Sequence, residues 1–125
     1  MLVTAGASGS GNMHIQVAKA LGARVAATVR DDEKGVFVKS QGADLVINTR
    51  KESVIDRIRD WTGGQGVDVA IDNVGGEELA RTIAAARPFG TIVVYGFTGG
   101  IEGKFDVREF FFTQKQMRGT IFADS

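Results

Sequence analysis

Six short apolar segments recur along the chain at intervals of about 20 to 26 residues. Most of them are continuous apolar runs and do not alternate apolar with polar positions. Such runs are typical of parallel strands that are covered on both faces. The predicted strands are Leu2–Thr4, Val25–Val29, Leu45–Asn48, Val67–Asp72, Thr91–Tyr95 and Met117–Phe122.

Helical patterns fill the intervals between these strands. In the first interval, Met13, Val17, Ala20 and Leu21 share one helical face, which predicts a helix from Asn12 to about Gly22. The later helices are predicted around Val36 and Phe37 (ending near Gly42), around Val54, Ile58 and Trp61 (ending at Gly63), around Leu79, Ile83 and Ala86 (stopped by Pro88), and around Val107, Phe110, Phe111 and Gln114. This alternation predicts an α/β fold: a doubly wound, six-stranded parallel sheet with helices on both faces.

A turn rich in glycine and serine, Ala5–Gly11, joins the first strand to the first helix. Glycines let the backbone approach a phosphate closely, and the free N–H groups and the positive end of the helix dipole point at it. The turn therefore predicts a bound phosphate, as in the pyrophosphate of a dinucleotide. Its glycines, Gly6, Gly9 and Gly11, have the spacing G-x-x-G-x-G, which differs from the usual G-x-G-x-x-G.

Other phosphate and nucleophile motifs fit this turn less well. Asn12 stands where a nucleotide-triphosphatase loop needs lysine, and Ser10 stands where a serine nucleophile elbow needs its final glycine. The short-chain reductase pattern fails at Ala5, and Tyr95 has Gly99 four residues later where that pattern needs lysine. Two classes stay open: a methyltransferase domain, although Val29 stands where it needs an acid, and a non-catalytic nucleotide-binding or assembly module.

The residues after the second strand bear on the choice of cofactor. An acid there binds the ribose 2′-hydroxyl of NAD, whereas arginine or lysine suits the 2′-phosphate of NADP. Here the strand ends at Val29 and is followed by Arg30, with Lys34 one helical turn later. Asp31 and Asp32 could pair with Arg30 or cap the second helix. We predict that Arg30 contacts a 2′-phosphate.

The loops after the fourth and fifth strands are predicted at the same edge of the sheet. Asp72 is expected to accept hydrogen bonds from loop N–H groups, which is a structural role and not a catalytic one. Phe97 could flank a nicotinamide or anchor its loop. His14 is expected to be a surface or packing residue. We predict no catalytic residue and no metal ligand in this chain.

Composition limits the remaining functions. The 125 residues predict one domain, and 15 basic residues balance 15 acidic ones, so nothing indicates a nucleic acid or membrane partner. The absence of cysteine excludes disulfides and thiolate chemistry. We expect a soluble, cytoplasmic protein. Because the first strand begins at the start of the sequence, we also expect a domain taken from a longer protein.

Several segments together resemble one known family. They are VTAGASGSG, AKALGARV, ATVRDDEK, KSQGADLVIN, TGGQGVDVAIDNVGG and PFGTIVVYGFTGG, in this order. The chain is similar over its whole length to the cofactor-binding domain of medium-chain dehydrogenases/reductases, on the quinone oxidoreductase-like side.

The resemblance implies a Rossmann fold, NADPH as the cofactor, and hydride transfer to a quinone, an enone or an enoyl thioester. It also implies that the family's catalytic domain lies outside this sequence, and that the last strand, around Arg118–Phe122, can pair with a second copy of the chain. The cofactor-binding residues that it implies are Gly9, Ser10, Gly11, Arg30, Lys34, Asn73, Val74, Gly96 and Phe97. We add Ser8 of the turn to this predicted site.

Three positions depart from the family pattern. Ser8 and Ser10 stand where relatives often have glycine and valine, and Thr49 stands where many have tyrosine near the 2′-phosphate. A serine side chain in the turn could crowd the diphosphate or donate a hydrogen bond to it.

Overall fold

The computed structural model describes residues 1–121, in which strands and helices alternate. The elements are β1 (Leu2–Val3), α1 (Gly9–Ala20), β2 (Ala26–Val29), α2 (Asp32–Ser40), β3 (Leu45–Asn48), α3 (Val54–Thr62), β4 (Val67–Asp72), α4 (Glu78–Ala85), β5 (Ala86–Val94), α5 (Val107–Thr113) and β6 (Gln116–Gly119). No helix within residues 1–121 is long and apolar enough to cross a membrane.

The strands form one parallel sheet in the order β3-β2-β1-β4-β5-β6. The order reverses between β1 and β4, which is the switch point where such sheets bind ligands. The predicted fold class, a doubly wound six-stranded Rossmann sheet, is therefore confirmed for the described residues.

Two apolar clusters cover the two faces of the sheet. Successive residues of β1 point to opposite faces, so Leu2 joins one cluster and Val3 the other. The cluster around Leu2 includes Ile58 of α3 and Ile83 of α4, and the cluster around Val3 includes Ile15 of α1. Helices therefore lie on both faces.

The predicted first helix is present, but the apolar face that predicts it is not the face that α1 buries. Met13, Val17 and Leu21 are 64%, 52% and 82% exposed, and Ala20 is exposed too. The buried residues of α1 are Gly11, Ile15 and Ala18, which follow the same helical spacing on another face. Two of these three are small, so α1 can lie close to the sheet, and the larger apolar residues are left outside.

Some boundaries also differ from the prediction. Helix α1 begins at Gly9 and not at Asn12, because the Ser8 side chain caps it. Helix α4 ends at Ala85, so Ala86 and Pro88 belong to β5. Pro88 fits there because the pairing of β4 with β5 is irregular next to it, between Val67 and Val69.

The last two elements are more exposed than expected. Helix α5 has no fully buried residue; Phe110 is half-buried, while Val107 and Phe111 are 69% and 71% exposed. Strand β6, at the edge of the sheet, is exposed throughout. Phe122, the end of the predicted sixth strand, lies outside the described residues.

Candidate functional site

The three glycines of the turn have two different roles. A Cβ at Gly6 would lie 2.9 Å from the Cβ of Ala27, and one at Gly11 would clash with the Ala5 carbonyl oxygen. Gly6 therefore lets the turn lie against β2, and Gly11 lets α1 begin directly against the turn. A Cβ at Gly9 would meet no protein atom within 4 Å. Gly9 leaves space at the surface, where a ligand can approach the backbone.

The start of α1 has two free N–H donors. Ser8 satisfies two others: its Oγ accepts from the Gly11 amide at 3.0 Å, and its carbonyl accepts from the Asn12 amide at 2.9 Å. Within residues 1–121, the amides of Gly9 and Ser10 have no acceptor. The Ser8 hydroxyl therefore serves the helix, and the two free amides lie at the positive end of its dipole, which favours an anion.

A cleft of about 730 Å³ opens beside this turn. It is formed by the residues that follow β1, β2, β3, β4 and β5 at the carboxyl edge of the sheet. Four of the ten predicted site residues line it, namely Ser8, Arg30, Lys34 and Val74, and Thr49 lines it too. The other six, Gly9, Ser10, Gly11, Asn73, Gly96 and Phe97, lie outside it.

Arg30 and Lys34 face the cleft without a carboxylate partner within residues 1–121. Asp31 caps α2 by accepting from the Lys34 amide at 2.8 Å. Asp32 accepts from Lys51 Nζ at 2.6 Å and from the Asn48 side chain at 3.0 Å, contacts that lower the pKa of its carboxyl. Both neighbouring acids are thus used elsewhere, and the two cations are available to an anion.

Asp72 organises the loop after β4, as expected for a structural carboxylate. Its Oδ1 accepts from the amides of Val74 and Gly75, both at 2.8 Å, and its Oδ2 accepts from the Thr82 hydroxyl at 2.9 Å. The side chain is completely buried. Every contact fixes the loop or ties it to α4, which confirms the structural role.

Two loops are joined backbone to backbone to form one wall of the cleft. The Gly99 amide donates to the Val74 carbonyl at 2.7 Å, and the Gly76 amide donates to the Gly100 carbonyl at 3.2 Å. A Cβ at Gly76 would lie 2.5 Å from the Gly99 carbonyl oxygen. We call residues 74–76 and 98–100 the glycine clasp. The clasp extends the pairing of β4 with β5 beyond the sheet.

Asn73 lies beneath this wall. Its amide donates to the Thr4 hydroxyl at 3.2 Å, and its carbonyl accepts from the Thr98 amide at 3.1 Å. Its side chain is buried, and Oδ1 has no hydrogen-bond partner within residues 1–121. A buried acceptor without a donor is unfavourable, so a donor from a ligand would stabilise it.

Tyr95 and Phe97, after β5, differ in their surroundings. Tyr95 lies between Ser10, whose Oγ is 3.1 Å from its hydroxyl oxygen, and His14, whose ring is 5.1 Å away edge to face. Phe97 is 67% exposed. His14 is thus a packing residue, as expected, and Phe97 anchors no part of the described core.

A further part of the cleft escaped the sequence analysis. It is lined by charged residues of α4 and of the loop after the clasp, which are Glu77, Glu78, Arg81 and Glu102. The available signal was that α4 begins directly after the loop of β4. A helix that begins at the carboxyl edge of the sheet brings its first turn to the same cleft.

Comparison with known proteins gives the family. The family model described as zinc-binding dehydrogenase matches residues 9–125. The chain belongs to the zinc-binding dehydrogenase family. The resemblance to medium-chain dehydrogenases/reductases is confirmed, and the chain corresponds to their nucleotide-binding domain.

Individual relatives of this zinc-binding dehydrogenase domain agree with the assignment. A 2-haloacrylate reductase from Burkholderia sp is 32% identical over 122 residues, which are 98% of this chain and 35% of the reductase. Escherichia coli quinone oxidoreductase complexed with NADPH has a TM-score of 0.87 and 30% identity, covering 95% of this chain and 37% of that chain. A structure described as an NAD-dependent alcohol dehydrogenase has a TM-score of 0.90 and 34% identity, covering 98% and 36%. The chain thus spans about a third of the length of these relatives.

The described residues of this zinc-binding dehydrogenase domain do not fit a zinc ion. Residues 1–121 contain no group of three or more histidine, cysteine, aspartate or glutamate side chains that could hold a metal. They do fit a dinucleotide, because Gly9 leaves open space, two helix amides are free, and two cations face the cleft without partners.

Proposed function

We propose that this chain is the NADPH-binding domain of an oxidoreductase that transfers hydride to a quinone, an enone or an enoyl-type acceptor. Membership of the zinc-binding dehydrogenase family supports nucleotide binding. The preference for NADPH rests on Arg30 and Lys34, which line the cleft after β2 while Asp31 and Asp32 are engaged elsewhere. A dianionic 2′-phosphate suits two free cations better than a ribose 2′-hydroxyl does.

The cofactor would run across the start of α1. Its adenosine half would occupy the cleft, with the 2′-phosphate against Arg30 and Lys34. Its pyrophosphate would accept from the amides of Gly9 and Ser10. Its nicotinamide half would lie outside the cleft, on the side of the predicted residues Asn73, Val74, Gly96 and Phe97. When bound, the nicotinamide supplies the hydride.

Calorimetric titration tests the cofactor preference. We expect NADPH to bind more tightly than NADH and S-adenosylmethionine not to bind. Arg30→Ala should weaken NADPH binding by about 10- to 150-fold, because a charge-assisted hydrogen bond contributes about 1.5–3 kcal/mol, and should leave the affinity for NADH almost unchanged. Arg50→Ala is the matched control, since Arg50 is also exposed after a strand but does not line the cleft. Equal affinities for NADPH and NADH would overturn the preference.

The reaction itself requires a second domain. Hydride donor and acceptor must be held together for a useful rate, and this chain spans about a third of the length of its relatives. We propose that the chain alone binds cofactor without reducing substrate, and that a catalytic domain restores the reaction. Steady reduction of a quinone by the purified chain alone would contradict this division. A cytoplasmic location stays a prediction.

The exposed β6 supports a second proposal, which is assembly through the edge of the sheet. Its four residues and the following Ile121 are exposed, and an unpaired edge strand can pair with another copy. Light scattering should show a dimer that Ile121→Lys weakens. Ile101→Lys is the control, because Ile101 is similarly exposed outside β6, at 82% against 90% for Ile121. A monomer at all concentrations would refute the pairing.

A further inference from the structure

Two hydroxyl groups form a pair beside the phosphate turn. Ser10 Oγ lies 3.1 Å from the hydroxyl oxygen of Tyr95, and the pair joins residues 85 positions apart. Ser10 is the second residue of α1, and Tyr95 directly follows β5. Because β4 lies between β1 and β5 in the sheet, the pair spans the switch point.

Tyr95 is the fixed member of the pair. Its side chain is half-buried, and its ring packs edge to face against His14 with an interplanar angle of 69°. Burial raises the pKa of its phenol, so the hydroxyl keeps its proton at neutral pH. Ser10, in contrast, is exposed at the surface of the turn.

The proton arrangement follows from acid strength. A phenol is a stronger acid than an alcohol, so it is the better donor in a pair where either oxygen can donate. When Tyr95 donates to Ser10 Oγ, the Ser10 O–H is left to donate elsewhere. The Ser10 amide also lacks an acceptor within residues 1–121. Ser10 therefore offers two donors next to the open space at Gly9.

We propose that Tyr95 is a positioning residue for the pyrophosphate: its hydroxyl donates to Ser10 Oγ and so directs the Ser10 O–H toward a phosphate oxygen held on the Gly9 and Ser10 amides. This inference rests on the proposed dinucleotide binding. It assigns the two serines of the turn different tasks, since Ser8 caps α1 and Ser10 contacts the ligand. Tyr95 acts through Ser10 and does not itself touch the phosphate.

The test is a double-mutant cycle on affinity. Ser10→Ala should raise the Kd for NADPH about tenfold and Tyr95→Phe about fivefold, because a hydrogen bond to a charged group is lost or misdirected. The double variant should stay near tenfold and not reach fiftyfold, because the two residues act through one contact. Ser10→Thr keeps a hydroxyl and should restore binding. Ser40→Ala, which removes a serine hydroxyl at the end of α2, is the matched control.

A second ligand separates positioning from a general structural effect. Adenosine 2′-monophosphate carries the 2′-phosphate but no pyrophosphate, so its Kd should not change in any of these variants. Thermal unfolding without ligand identifies a variant that fails to fold. If Ser10→Ala does not fold, the test rests on Tyr95→Phe, which keeps the ring against His14 and should weaken NADPH but not adenosine 2′-monophosphate.

The outcomes are distinct. A loss confined to NADPH with a non-additive double variant supports the role of Tyr95. Equal losses for both ligands, additive losses, or no loss would overturn it while the proposed function stands. If the unmodified chain binds neither ligand, the proposed function and this inference both fail.

Discussion

Replacing Gly76 by alanine tests whether the glycine clasp is a rigid wall. Gly76 has φ +53°, and an added Cβ would lie 2.5 Å from the Gly99 carbonyl oxygen. Gly63 is the matched control, because it has φ +68° and its added Cβ would meet no atom within 4 Å. Both alanines must adopt a left-handed backbone, and only the one at position 76 must also displace a neighbouring loop.

The expected magnitudes separate these two effects. The left-handed backbone costs about 1–2 kcal/mol for a residue with a Cβ, so Gly63→Ala should lose about that much. Overpacking adds about 1–3 kcal/mol, so Gly76→Ala should lose about 2–5 kcal/mol. In a domain of this size each kcal/mol lowers Tm by about 4 °C. The difference between the variants measures the contact with Gly99 alone.

Urea unfolding followed by far-ultraviolet circular dichroism measures both variants. The free energy of unfolding should fall further for Gly76→Ala, with an unchanged m-value. Because Gly76 lines the cleft and Gly63 does not, only Gly76→Ala should also weaken the binding of adenosine 2′-monophosphate. If the two variants lose the same stability within about 0.5 kcal/mol, the loop yields and the clasp is not rigid.

Two further predictions concern titratable groups. Asp72→Ala should destabilise the domain by about 2–4 kcal/mol in urea unfolding, because the amides of Val74 and Gly75 and the Thr82 hydroxyl lose their acceptor. Asp68→Ala, on the exposed side of the same strand, should change stability by less than about 1 kcal/mol, and similar losses for both would refute the role of Asp72. Burial lowers the pKa of His14, the only histidine, below its ordinary value of 6.5. Just below pH 6.5 the unfolded chain therefore binds more protons than the folded chain. The free energy of unfolding should decrease as the pH falls from the pKa of His14 in the unfolded chain to its lower pKa in the folded chain. His14→Gln should flatten that part of the profile, and an unchanged slope would contradict the assignment.

The first four predicted strands agree with the structure to within one residue at each end, because strands covered on both faces need apolar residues at nearly every position. Leu45–Asn48 and Val67–Asp72 match residue for residue. The apolar spacing predicted helix α1 but not its buried face, because the helix carries two apolar faces with the same spacing. The spacing of apolar residues cannot distinguish these two faces. The small residues Gly11 and Ala18 can, because they allow their face of the helix to lie close to the sheet.

The candidate site was only partly predictable. Arg30, Lys34, Ser8 and Val74 share the cleft because each follows a strand, and strand ends meet at one edge. Gly96 and Phe97 also follow a strand, yet they do not line the cleft, whereas Thr98, Gly99 and Gly100 of the same loop do. The first turn of α4 reaches the cleft without any motif.

The sequence by itself determined the order of strands and helices, the turn rich in glycine and serine and the cations after β2, because these depend on neighbours a few residues apart. Only the tertiary structure decided which face of α1 is buried and that Tyr95 lies beside Ser10. It also decided that Asp31 and Asp32 bind other groups and do not pair with Arg30. These features join residues up to 85 positions apart, and their distances depend on how closely the helices and loops pack on the sheet.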